Sequence, residues 1–110
     1  MRPIEFQILL TLAAGERHGY AIIQDIEARA ADAASIETGT LYRALQRLCE
    51  SDFVRPTDSK RAHASVANDD ARRRFYTITP AGRRAAAAEA ERMASLVDAA
   101  RAAKLLRAGA

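Results

Sequence analysis

Tyr42 and Arg43 are followed, three and four residues on, by Gln46 and Arg47. At 100° per residue that spacing sets them, with Glu50, on one side of a helix. Two guanidinium groups, a carboxamide and a phenol are the side-chain set that hydrogen-bonds the edges of guanine and adenine and the oxygens of phosphate. Leu41, Ala44, Leu45, Leu48 and Cys49 fall on the opposite side, so the segment can bury one flank and present the other. Thr38 and Thr40 are placed to cap the N-terminus of this helix, predicted over 38–51, and Gly39 lets its first turn come close to another backbone. An ordinary amphipathic surface helix would carry the same pattern, so its neighbours decide.

A second basic group lies downstream. Arg72, Arg73 and Arg74 stand in a row, and Lys60 and Arg61 precede them across a polar stretch. Three consecutive arginines in a strand cannot all face a core. A run of this kind is commonly a solvated edge, but here it follows the candidate reading helix by one hairpin, where a wing would lie on a phosphate backbone. No Ser/His/Asp or Cys/His grouping, phosphate-binding glycine loop or metal-ligand spacing is present, and Glu16, Asp25, Glu27 and Asp32 read as solvated charges. The chain therefore does not read as an enzyme, and no cofactor is expected. His18 can be a capping group, a phosphate contact or a metal ligand. No second ligand stands at metal spacing, and His63 lies in a polar loop. Tyr20 suits either half-buried packing or a phosphate contact through its hydroxyl.

The elements that must position these groups follow from periodicity. Pro3 suits the first turn of a helix. Ile4, Ile8, Leu9 and Leu12 form its apolar stripe, Phe6, Leu10 and Ala13 widen it, and Gly15 stops it. A helix apolar over that arc needs two surfaces to pack on. Glu16 and Arg17 are expected to turn. Gly19, Ile22, Ile23, Ile26 and Ala30 then give a second helix, and a short link over 31–37, with Asp32 and Ser35 as turn-formers, leads to the reading helix. Two short helices joined tightly, the second bearing Arg and Gln outward, are a helix-turn-helix. Phe53-Val54-Arg55, closed by Pro56, and 72–79 are β-prone and bracket a long polar tip, the wing. Thr79 and Pro80 are an N-cap and N1 pair. From Arg83 to Leu106 the chain is rich in Ala, Arg and Glu and strongly helical by propensity. Ala86, Ala90, Met93, Val97 and Ala100 form a stripe of small and apolar residues along it.

At 110 residues, 49% hydrophobic with no Trp, the chain is one domain with a core of small side chains plus a few Leu, Ile, Phe and Tyr. A core that thin, with spare apolar faces on the first and last helices, predicts a homodimer. The interface is expected at Phe6, Leu10, Ala86, Ala90, Met93, Val97 and Ala100. A net charge of +3 with pI near 9.5 permits nucleic acid without demanding it. The single cysteine, Cys49, excludes an internal disulfide. The apolar run at 8–14 is too short to cross a bilayer and nothing resembles a signal peptide, which predicts a cytoplasmic protein with no membrane contact.

The ordered motifs Ile8-Leu9-Leu10 before Gly15, His18-Gly19-Tyr20, Gly39-Thr40-Leu41-Tyr42 with Leu45, Arg47 and Leu48, Arg74-Phe75-Tyr76 with Ile78-Thr79, and Ala81-Gly82 resemble the PadR family of transcriptional regulators, in its short branch with one C-terminal helix. The resemblance implies a mainly α fold with a small β-hairpin. A winged helix-turn-helix would occupy 1–79 and a long dimerisation helix 80–110. It implies a homodimer on a palindromic operator in double-stranded DNA, usually a repressor, with the wing at 53–79 and, in some members, a small-molecule effector at the dimer interface. Tyr42, Arg43, Gln46 and Arg47 would face the major groove, with Thr38 and Thr40 beside them. Arg72, Arg73 and Arg74 would belong to the wing, with Lys60 and Arg61, and His18 and Tyr20 to the segment that abuts DNA. Drug-binding relatives use an aromatic sandwich, whereas this chain has no Trp and one obvious interface aromatic, Phe6. The alternative reading is a winged-helix module that binds protein rather than DNA. It calls for acidic or apolar residues on the outward face of 38–51, which is instead basic and polar.

Overall fold

Helix α1 (Pro3–Ala13) opens with Pro3 at its first position and with the Arg2 N–H donating to Glu5 Oε1 at 3.0 Å. It buries Ile8, Leu9, Thr11 and Leu12. Gly15, at φ 149°, takes the backbone through a region that side chains rarely enter. The computed structural model describes residues 1–29, 36–57 and 74–107. The turn-formers Asp32 and Ser35, Ala30, the wing tip with His63, and four expected DNA contacts, Lys60, Arg61, Arg72 and Arg73, lie outside the described residues.

The chain continues through β1 (Arg17–His18), α2 (Gly19–Arg29), α3 (Thr38–Glu50), β2 (Val54–Thr57), β3 (Phe75–Ile78) and α4 (Pro80–Ala102). The three strands form an antiparallel sheet in the order β1-β3-β2. Val54 pairs with Ile78 and Thr57 with Phe75 on one side of β3, while Arg17 pairs with Tyr76 and His18 with Phe75 on the other. Arg17, expected in a turn, is therefore in a strand. Two residues carry no periodicity, so pairing with β3 is what makes them extended. Phe75 and Tyr76, on opposite faces of β3, are both buried.

One core gathers all of this. Ile8, Leu9 and Leu12 of α1, Ile22 of α2, Leu41 and Leu45 of α3 and Val54 of β2 are its largest fully buried side chains. Helix α3 turns Leu41, Ala44, Leu45 and Leu48 inward. Its N-cap is Glu37 rather than Thr38 or Thr40, and no side chain caps it. Burial outweighs that loss: each leucine taken from water contributes about 1.5–3 kcal/mol, against about 1 kcal/mol for a cap. The helix ends in a Schellman turn. Phe53 N–H donates to Leu48 O at 2.9 Å and Asp52 N–H to Cys49 O at 3.0 Å, with Asp52 at φ 61°.

Thr79 joins the hairpin to α4. Its Oγ1 accepts from Gly82 N–H at 2.9 Å and donates to Asp52 O at 2.6 Å, so one hydroxyl caps α4 and ties it to the end of α3. Beyond its first turns α4 leaves the core. Gly82 is its buried residue, whereas Leu96 is 57% exposed. The helix stops at Ala102 in a second Schellman turn, Leu105 N–H to Ala100 O at 2.9 Å, so Leu105 and Leu106 lie past the helix expected to reach them. The projecting α4 draws the molecule out to 54 × 29 × 22 Å. Among the described residues, no helix is long and apolar enough to cross a membrane.

Gly82 tests this junction. A Cβ there would collide with the carbonyl oxygen of Phe53 and lie 2.9 Å from Ile78 Cγ1. Helix propensity favours alanine by about 1 kcal/mol, but a backbone oxygen cannot move aside as a side chain can. Gly82→Ala is expected to destabilise by about 1–3 kcal/mol net, read as a melting temperature lowered by about 4–8 °C per kcal/mol. An unchanged or raised melting temperature would show that α4 can pivot at this point.

Candidate nucleic-acid interface

The outward side of α3 divides in two once the chain is folded. Thr38, Gly39, Arg43, Gln46 and Glu50 carry different degrees of exposure from their neighbours Tyr42 and Arg47, and Thr40 is half-buried. Arg43 Nη2 leans on Thr40 Oγ1 at 3.4 Å, one turn back, and Gln46 Nε2 approaches Glu50 Oε2 at 3.5 Å. Both contacts are long, within one helix and in solvent, so they hold the side chains weakly.

The other two members of the set turn away. Tyr42 is half-buried, and its hydroxyl is buried against Gly19 at the start of α2, where a Cβ would collide with it. Arg47 does not stand beside Arg43: its Nε meets Glu5 Oε2 of α1 at 2.7 Å, with the Arg47 side chain 36% and the Glu5 side chain 12% exposed. At the α3 positions nearest α1 and α2, the two neighbouring helices claim side chains that a lone helix would leave in water. Burial pushes the Glu5 carboxyl up, but the Arg47 hydrogen bond, the Arg2 N–H and the charges of Arg47 and Arg2 outweigh it and hold the group below its ordinary value.

His18 caps α2, its Nδ1 accepting from Ala21 N–H at 3.1 Å, and its ring meets the edge of Phe75 with centroids 5.4 Å apart. The cap, one of its three readings, is present in the structure. Tyr20, in the first turn of the same helix, is 55% exposed. Arg74 is exposed at the base of the hairpin. It borders a cleft of about 260 Å3 between Tyr42, Gln46 and Cys49 of α3 and Pro56 and Tyr76 of the sheet. Burial raises the pKa of the Cys49 thiol, partly offset by the charge of Arg74. Among the described residues no group of three or more His, Cys, Asp or Glu side chains could hold a metal.

Of the residues expected at a partner interface, Leu10 and Val97 are 42% and 38% exposed. Ala90 is exposed, and Phe6, Met93 and Ala100 are half-buried. Ala86 instead packs against the chain's own core, because α1 and α4 touch over the first turns of α4. Two positioning residues had no signal in the sequence. Glu5 reads as a helix-start acid, not as the partner of a residue on α3. Arg29 ties α2 to α1 by donating to Gln7 Oε1 at 2.9 Å and to the buried Thr11 Oγ1 at 2.9 Å.

The model of the PadR-like transcriptional regulator family matches residues 8–88. The chain belongs to the PadR-like family. The match runs from α1 through the first turns of α4, and the family is one of regulators rather than enzymes. The chain is 38% identical over 89 residues to a 37.1 kDa protein of a Streptomyces fradiae transposon, covering 81% of this chain and 22% of that protein. It is 30% identical over 76 residues to a Lysinibacillus sphaericus protein, covering 69% and 64%. The chain thus spans less than two thirds of the length of each of these relatives. Among solved structures, a Clostridium thermocellum transcriptional regulator matches with TM-score 0.69 and 23% identity over 89% of this chain and 86% of that one. Bacillus subtilis PadR, solved with operator DNA, matches with TM-score 0.61 and 22% identity over 78% and 45%. Both share the winged-helix fold described above.

The Glu5–Arg47 pair has a pH signature. A carboxyl whose folded pKa lies below its unfolded value stabilises the fold above the unfolded value, and that stabilisation is lost as pH falls through the folded one. Replacing Glu5 with Gln is expected to cost about 1–3 kcal/mol at pH 7. The gap in melting temperature between wild type and Glu5→Gln should close as pH drops below 4.5, the ordinary value of the group. A gap independent of pH would show that the pair is not ionic in solution.

Proposed function

We propose that this PadR-like regulator is a homodimeric repressor that binds a palindromic operator in double-stranded DNA, with α3 in the major groove and the β2–β3 wing along the phosphate backbone. The observation that carries the reading is the division of α3. Leu41, Ala44, Leu45 and Leu48 are at most 3% exposed, while Arg43 and Gln46 lie on the opposite side. An arginine and a glutamine one turn apart match guanine and adenine edges in the major groove. Thr38 and Thr40, at the N-terminal end of α3, suit phosphate oxygens. Tyr20 near the start of α2 and Arg74 at the wing base are exposed, and the sequence adds Lys60, Arg61, Arg72 and Arg73 to the basic charge of the wing segment. A fold neighbour, Bacillus subtilis PadR, is solved with operator DNA.

The dimer reading rests on exposed apolar surface that the chain does not cover: Leu10 on α1 and Leu96 and Val97 on α4. Two reading helices related by a two-fold axis would enter successive major grooves about 34–36 Å apart. The outward face of α3, polar with Arg43 and Gln46 exposed on it, lacks the apolar patch that the protein-interaction alternative calls for.

Selection from a random duplex pool, followed by titration at several salt concentrations, tests the assignment. Wild type is expected to enrich a palindrome. Arg43→Ala should relax preference at one position of each half-site, at a cost of about 1–3 kcal/mol per base pair. Arg74→Ala should weaken binding to all sequences alike and flatten the logarithmic salt slope by about 0.9 for each phosphate that is no longer neutralised. Enrichment of no sequence would end the DNA reading. For the dimer, Val97→Glu should lower the mass seen by light scattering to that of one chain and weaken operator binding. A wild type already monomeric at the same concentration would refute that part.

A further inference from the structure

Arg47 and Arg43 sit one turn apart on α3, yet their surroundings differ. Arg43 leans on its own helix. Arg47 reaches 42 positions back along the chain to Glu5, at 2.7 Å. Both oxygens of that carboxylate are committed, Oε2 to Arg47 and Oε1 to the Arg2 N–H at 3.0 Å. The group is thus pinned in the first turn of α1, where the helix dipole also favours an anion. The contact is the shortest polar link described between α1 and α3. Glu5 stands next to Phe6 and one turn and a residue before Leu10, the exposed apolar side chain of α1.

We infer that Arg47 is a positioning residue rather than a DNA contact: with Glu5 it clamps α3 to α1, so that the reading face of Arg43 and Gln46 is held at a fixed angle to the helix that carries part of the partner surface. The inference rests on the regulator reading above and assigns Arg47 a role within it. A guanidinium held by a largely buried carboxylate is poorly placed for a guanine edge, because leaving the pair would strand the Glu5 charge. The clamp instead stiffens the crossing of α1 and α3, and a reading helix tilted by a small angle misplaces every base contact at once.

The test compares wild type with Arg47→Gln, Glu5→Gln and the double variant, on the operator selected by wild type and on an unrelated duplex, at several salt concentrations. Circular dichroism checks the fold of each. The two single variants are expected to lose operator affinity by similar factors of about 2- to 30-fold. The double variant should lose no more than either. The salt slope and the preferred bases should stay those of wild type. An Arg47 that contacts DNA gives a different pattern: Arg47→Gln alone flattens the salt slope by about one phosphate's worth or relaxes one base position, while Glu5→Gln binds as well as wild type or more tightly. That pattern, or unchanged affinity in both single variants, overturns the inference. Should a Gln variant fail to fold, Glu5→Asp keeps the charge and withdraws it from Arg47. Clamping predicts weaker operator binding with an unchanged salt slope, and unchanged binding overturns it. If wild type itself selects no sequence, the regulator reading fails first and the inference falls with it. Selection by wild type with additive or unequal single-variant effects sinks the inference alone.

Discussion

The structure depends on holding α3 by one face. Leu41, Ala44, Leu45 and Leu48 fill the space between α1, α2 and the sheet, and the side that carries Arg43 and Gln46 stays open. A helix packed on both sides could not enter a groove, and one packed on neither would not form in isolation at 13 residues. The one-sided arrangement sets the demands on everything else. α1 and α2 must supply enough apolar surface to anchor α3, and the turn after it must release the chain without covering the outward side. Both demands are met with a core built mainly of leucine and isoleucine.

The release after α3 is built from backbone. Asp52 at positive φ ends the helix, and Phe53 turns into β2. The same short segment receives the start of α4. Thr79 donates to Asp52 O and caps α4 with the same hydroxyl, while Gly82 lies against the Phe53 carbonyl. The direction in which α4 leaves is therefore fixed by the residues that end α3. Arg83 adds a further tie by donating to Ala13 O at the end of α1 at 3.1 Å. Helices α3 and α4 therefore share one corner, tied by Thr79 and Gly82.

Much of this was legible in the residues. The stripe on α3, the Thr79-Pro80 start of α4, the stop at Gly15 and the hairpin strands all follow from local rules of period, cap and φ, and each stands where those rules put it within a few residues. The features that escaped are those in which distant segments decide. Strand β1 is extended because β3 pairs with it. Tyr42 and Arg47 satisfy the helical period of an exposed face, yet one packs on Gly19 and the other pairs with Glu5, because α2 and α1 cross α3 at those positions. Periodicity reports which side of a helix a residue occupies, not how wide the buried side becomes when two neighbours pack at an angle. Gly19 was legible as a close-approach glycine; what approaches it, the Tyr42 hydroxyl, was not. Similarly, Ala86 has the spacing of a partner surface but is also partly buried against the chain's own core, a contact the spacing did not show.

The outward face is narrower than the residue pattern suggested, and this changes how affinity and specificity divide. With Tyr42 packed on Gly19 and Arg47 paired with Glu5, the proposed reading leaves Arg43 and Gln46 as the base-reading pair on α3, enough for discrimination at two or so positions of a half-site. So small a vocabulary, on the proposed reading, needs two things to act as a regulator. Duplication of the half-site multiplies discrimination, since costs at well-separated positions add. A basic wing supplies sequence-independent affinity, most of it from counterion release. On that reading, the length of α4 would offer surface to a second copy, and the run of arginines before β3 in the sequence would supply the wing's charge. The rigidity of the α1–α3 crossing then matters more than it would for a longer reading face. With few base contacts there is little redundancy, and an error in the angle of α3 is not corrected by others.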